Sequence, residues 1–281
     1  MPNRIRAAVR STAGATVAGL VSKAISRTVT PGPAWQRTNY AGDPVTLVEG
    51  PAVAVGAGAG MIVEAVLAGR AGDPAAGRRA AARLVAVGGS ALVGAYDDLL
   101  GTTQAKGFGG HLRALRAGTI TSGMIKIAGI GVSALAASVI DRPAGRGAGR
   151  GAGRIVDVMI NTTLIAGTAN VTNLLDLRPG RAGKAVLGLG MIIPGSGPLV
   201  GAVSGVLADD LAGRSMLGDC GANALGAGLG TAIIRLPRPL RVAVLAGVIG
   251  LNLASEKVSF SAVIDDHPVL RTIDRWGRDG P

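Results

Sequence analysis

Aromatic side chains are nearly missing from this sequence. Two Trp, two Tyr and two Phe are spread over 281 residues, so the Trp and Tyr belts that mark membrane interfaces are not there to set boundaries. Cys220 is the lone cysteine, which excludes an intrachain disulfide and leaves the redox compartment unmarked. Charge is also scarce. Only 16% of residues are Asp, Glu, Lys or Arg, where a soluble domain carries about 25%, and an ordinary soluble domain is thereby excluded.

What the chain has instead is apolar length. Mean hydropathy is +0.42, and about nine runs approach the roughly 17–25 residues of a membrane helix. They lie near 6–24, 46–69, 79–96, 119–140, 155–172, 183–194, 197–212, 221–236 and 239–254. The 46 glycines suit helices whose backbones touch in lipid. The expected fold is therefore all-α, a polytopic membrane protein forming a single domain over 1–281 with a polar tail from 255. The basic start reads as a first membrane helix rather than a cleaved signal. "PGSGP" at 194–198 makes a hairpin of the sixth and seventh runs, and "GRGAGRGAGR" at 145–154 reads as a flexible loop. The net charge of +12 resides in Arg and Lys between apolar runs, which points to anionic lipid rather than nucleic acid as the partner.

If every run crosses, alternate connections share a side. One side collects 39–50, 97–118, 170–184, 209–223 and 255–267, and these hold all the conspicuous polar groups. Lys and Arg divide evenly between the two sides, so the positive-inside rule does not orient the chain. Asp97 and Asp98 end the third run, Asp176 follows the fifth and Asp219 precedes the eighth. Carboxylates near lipid are costly and mark function by default, and hard oxygens from separate helix ends suit Mg²⁺. Each Asp taken alone is equally consistent with a helix cap. Asn170, Asn173 and Asp176 step by three along one helical side. Their amides suit a sugar or base edge, or hydrogen bonds between helices. Lys126 needs a carboxylate or phosphate, or else snorkels to the surface.

At these residues the chain resembles a known family. "AYDDLLG", "NVTNLLD" and "LGDCGANALG" look like the three signature motifs of the polyprenyl-phosphate N-acetylhexosamine-1-phosphate transferases, the superfamily of phospho-MurNAc-pentapeptide translocase and the GlcNAc-1-phosphate transferases. "NYAGDPVTLVEG" is similar to the segment opening that family's second span, and the motifs keep family order over about residues 39–255. The resemblance implies a multi-pass cell-membrane enzyme with its site facing the cytoplasm, transferring a sugar-1-phosphate from a UDP-sugar to a polyprenyl phosphate with release of UMP. It further implies Asp219 as the Mg²⁺ ligand. Asp97, Asp98 and Asp176 are implied as catalytic, with Asp97 and Asp98 working on the lipid phosphate. Lys126, Asn170, Asn173 and Asn223 are implied as substrate-binding, and a homodimer is left open.

Three departures stand against a peptidoglycan-precursor substrate. Pro179 takes the place of a second acid in the third motif. The family's late histidine triplet is missing, His111 and His267 being the only histidines. The family's last span also has no counterpart. The alternative function is a catalytically silent relative acting as an envelope-assembly or lipid-binding scaffold. A small transporter built on a midplane broken helix is disfavoured, since the break at "PGSGP" falls opposite the carboxylates.

Overall fold

The computed structural model describes residues 2–38, 42–101, 107–141 and 152–278. It is 78% helical. In chain order the helices are α1 (Pro2–Thr28), α2 (Glu49–Arg70), α3 (Ala76–Leu100), α4 (Gly107–Arg116), α5 (Ser122–Ile140), α6 (Ala152–Leu175), α7 (Arg181–Ile192), α8 (Gly197–Ser204), α9 (Leu207–Leu211), α10 (Gly218–Ile233), α11 (Arg238–Ser255), α12 (Phe260–Asp266) and α13 (Pro268–Arg275). Four of them, α2, α5, α6 and α11, are long and apolar enough to cross a membrane.

All the apolar runs are helical, with two amendments to the sequence reading. The run at 197–212 is not one helix but α8 and α9, broken at Gly205 and Val206. Gly205 packs closely on α1, against the Gly19 carbonyl. The second adds one short ladder to a fold that is otherwise all-α. Strands β1 (Gln36–Thr38) and β2 (Pro44–Thr46) pair antiparallel, with Arg37 opposite Val45. In the glycine-arginine run 145–154, residues 145–151 lie outside the described residues and 152–154 open α6. In the stretch 39–50, residues 39–41 also lie outside them.

Small residues set the packing. Along α1, Ser11, Ala15 and Gly19 meet Gly197, Gly201 and Gly205 in parallel steps of four, and a Cβ on Gly201 would run into the Ala15 carbonyl. Such small-residue ridges are how helices in lipid bring backbones into contact. Two other pairs run antiparallel. Gly89 lies by Ser133 and Gly129 by Val93 between α3 and α5, while Gly226 lies by Ala169 and Gly230 by Ile165 between α10 and α6. A second parallel pair is α6 and α11, where Arg241 bonds Asn161 and Asn252 bonds the Gly167 carbonyl. These directions bring the C-terminal ends of α3, α6 and α11 and the N-terminal ends of α5 and α10 to one end of the bundle. At the centre stands α10, buried at every residue from Cys220 to Ile233. It joins a core around Met61, Leu199, Leu217 and Leu225 to a second around Leu164, Ile165 and Ile233.

The tail beyond α11 is pinned down. Arg181 at the start of α7 grips Asp274 of α13 through Nε at 2.7 Å and Nη2 at 3.0 Å, and both side chains are 5% exposed. Burial by itself would raise the Asp274 pKa. Hydrogen bonds from Arg181 and the charges of Arg181, Arg278 and Lys184 outweigh it and hold the carboxyl below its usual range. A depressed folded pKa stabilises above the unfolded value and is lost as pH falls through the folded one. Protease cleavage within α12 and α13 is therefore expected to stay slow down to about pH 4, near the ordinary Asp pKa, and to rise below it. Asp274→Asn should expose these helices already at neutral pH, because breaking a buried pair costs about 3–5 kcal/mol. Cleavage of the variant at the wild-type rate would show that this pair does not hold the tail.

Candidate functional site

The centre of the site is the N-terminus of α10. A helix start leaves backbone N–H groups without intrahelical partners, and here they are part-buried at the floor of a cavity. Asp98, at the end of α3, accepts from the N–H groups of Asp219 at 2.9 Å and Cys220 at 2.8 Å, one on each carboxylate oxygen. Asp176, just past α6, accepts from the Gly218 N–H. Two carboxylates from two other helices thus cap α10 in trans. Gly218 has a φ of +61°, which favours glycine, and a Cβ there would press on the Asp98 carboxylate. That is the physical reason for glycine in "LGDCG".

Above this cap opens a cavity of about 1080 Å³, lined among others by Arg37, Asp97, Lys126, Asn173, Asp176 and Asp219. Lys126 extends from the second turn of α5 and places Nζ 3.0 Å from Asp97 Oδ2 and 2.7 Å from Asp219 Oδ2. Its ammonium is a bridge between two carboxylates rather than a snorkelling group. Asn173 lines the cavity, and the amide has no hydrogen-bond partner among the described residues. Asp176 is 7% exposed. Its burial first, and then the nearby Asp210 carboxylate, push its pKa well above the usual range.

The structure therefore brings Asp97, Asp98, Lys126, Asn170, Asn173, Asp176 and Asp219 to one cavity, and separates their surroundings. Asn170 donates to Asn252 Oδ1 of α11 at 2.7 Å, the interhelical alternative for that side chain, although it still borders the cavity. Asn223 is fully buried. It donates to the Asp219 carbonyl at 2.7 Å and is absent from the cavity wall, a core position one turn below the site.

Sequence reasoning missed Arg37, whose guanidinium donates to the Asp98 carbonyl, and Asn252 and Glu256 on the cavity wall. It also missed a buried layer behind the cavity. Glu49 accepts from the Ser215 hydroxyl, and Asp210 accepts from the Gly180 N–H at 2.8 Å. Both carboxylates are 1% exposed. The available signal was a carboxylate at the border of an apolar run, in "LVEGPAVAVG" and "LADDLAG".

Among the described residues no three His, Cys, Asp or Glu side chains are arranged to hold a metal ion. Two carboxylates, Asp97 and Asp219, flank a single cation, the Lys126 ammonium. That donor set fits Mg²⁺, which takes one or two carboxylates and completes its shell with water and substrate phosphates. No protein-family model matches the chain, and no curated protein matches it.

Asp98→Asn is the informative substitution at the cap. An amide presents one acceptor to two N–H groups and turns its own donors toward the other. Leaving a buried donor unsatisfied costs about 1–3 kcal/mol. The variant is expected to melt at a lower temperature in detergent than the wild type, whatever its activity. An unchanged melting temperature would remove the capping role.

Proposed function

We propose that this protein is a sugar-1-phosphate transferase of the cell membrane. It takes the sugar-1-phosphate of a UDP-sugar, an N-acetylhexosamine by the family resemblance, and gives it to a polyprenyl phosphate at the cytoplasmic face. The reading adopts the alternation of about nine apolar runs with the N-terminus outside, α7 and α8 forming a hairpin too short to cross. The observation that carries it is the convergence on one cavity, at one end of an apolar bundle, of Asp97, Lys126, Asn173, Asp176 and Asp219.

Phosphoryl transfer asks a protein mainly for positioning and charge neutralisation. Lys126 supplies the resident positive charge for the diphosphate. Asn173 has an amide available for the sugar or the base, and Asp176 stands on the same wall. Asp97 is the carboxylate assigned to orient the lipid phosphate, because both oxygens of Asp98 are engaged by α10. An oxygen of the lipid phosphate bonds to the β-phosphorus, the bond from that phosphorus to the bridging oxygen breaks, and UMP leaves with the electron pair. Asp97 and Asp219 would hold Mg²⁺, which supplies charge neutralisation at the diphosphate when bound.

One observation favours the silent-scaffold reading. The Lys126 ammonium already compensates Asp97 and Asp219, so the pair is electrostatically satisfied with no ligand. Purified protein incubated with undecaprenyl phosphate, Mg²⁺ and a panel of UDP-sugars separates the two. UMP release with one sugar is expected. Silence across the panel with polyprenyl phosphate still bound would leave the scaffold.

Asp219→Ala tests the metal assignment without turnover. A helix cap alone is worth about 1 kcal/mol, whereas a metal ligand governs the response to the ion. The variant should stay folded and lose the Mg²⁺-dependent thermal shift seen with UDP-sugar. A shift of wild-type size would remove Asp219 as the ligand.

A further inference from the structure

The last helix has a two-sided character that its anchoring does not require. Asp274 faces inward to Arg181, and Lys184 Nζ donates to the carbonyls of Ile273 at 3.1 Å, Asp274 and Trp276 at 3.0 Å. Arg278 adds a bond from Nε to the Pro179 carbonyl at 2.9 Å. A lysine on the final carbonyls is a favourable end for a helix. These contacts fix α13 beside the first two turns of α7, level with the polar end of the bundle.

On the fixed helix, Val269, Leu270 and Ile273 fall on one side at helical spacing, and they are 61%, 40% and 55% exposed. Trp276 follows directly and is 77% exposed. Arg271 and Arg275 lie on the opposite side by the same spacing, both exposed. The apolar side, the arginine side and the Asp274 side are three different directions. A helix that only braced α7 would have no need of the first.

We propose that α13 lies in the plane of the membrane surface as an interfacial helix. Val269, Leu270, Ile273 and Trp276 enter the boundary between headgroups and acyl chains, and Arg271 and Arg275 face the anionic phosphates. Charge decides the occupant. An apolar stripe backed by arginines is the pattern of a helix on anionic lipid, whereas a second copy of this basic face would meet its own like charge. Tryptophan suits that depth, with an apolar body and one polar N–H. The helix is tied to Arg181 and Pro179, which border the loop carrying Asp176, so the lipid surface and that wall of the cavity are held by one set of contacts.

The chain has two tryptophans, Trp35 and Trp276, so Trp35→Phe leaves a single reporter at the end of the helix. The full-length variant goes into nanodiscs of phosphatidylcholine and phosphatidylglycerol whose acyl chains are brominated either near the headgroup or near the methyl end. Trp276 emission is expected to be blue-shifted, to be quenched by bromine near the headgroup far more than by bromine near the chain end, and to be shielded from aqueous iodide. Quenching by iodide with none by bromolipid would place the helix in water and overturn the proposal. Shielding from both would mean that protein covers this face and would overturn it equally. Asp274→Asn in the same background serves as control, since freeing the helix should change the quenching if the anchored geometry sets its depth.

Discussion

The site depends on one constraint, the burial of α10 on every side. A helix enclosed by other helices gives its first N–H groups little access to water, and an unpaired buried N–H is costly. The acceptors must come from elsewhere in the protein. Asp98 and Asp176 supply them from α3 and α6, so the capping requirement alone draws three helix ends together. Carboxyl oxygens suit the task as acceptors, because the start of a helix is its positive end. The polar floor of the cavity is thus a by-product of keeping α10 inside.

Capping accounts for Asp98 and Asp176, but not for Asp97 and Asp219. Those two face each other across a lysine rather than across backbone N–H groups. Placing Lys126 early in an apolar helix is expensive unless its charge is matched, and two carboxylates match it in excess. The excess matters for function. Under the proposed function, two carboxylates around one lysine would repel a diphosphate unless a divalent cation came with it.

The helices were legible in the sequence because apolar length is a coarse signal that tertiary context rarely overrides. The shared end was legible for the same reason, since alternation follows once the runs are drawn. Asp97, Lys126, Asn173, Asp176 and Asp219 could be read as polar groups where polarity is costly. The division of labour could not. Asp97 and Asp98 are neighbours in sequence, yet a helix turns successive side chains about 100° apart, and one reaches a lysine while the other reaches a helix end. Asn223 fits the same motif as Asp219 but sits one turn deeper, in the core. The tail escaped for another reason: its polar composition says solvent, and only the Arg181–Asp274 pair shows that it is docked.

The short α7 raises a last question of length. Twelve residues rise about 18 Å, well short of the roughly 30 Å of a bilayer core, and a bare turn left at that depth would expose backbone groups to lipid. Arg83 resolves it. Its Nη2 donates to the Gly195 carbonyl at 2.7 Å while Nη1 pairs with Glu64 at 2.7 Å. The stretch of α3 from Arg83 to Asp97 is about 21 Å long, close to the rise of α7. One guanidinium on α3 therefore meets the far end of α7, while the start of α7 stays level with the carboxylates. Gly195 is exposed, yet its carbonyl is taken by Arg83, and a longer helix would carry it past that partner. The depth of that turn is set by where Arg83 sits on α3, which ties the arginine-rich end of the bundle to the height of the loop that presents Asp176.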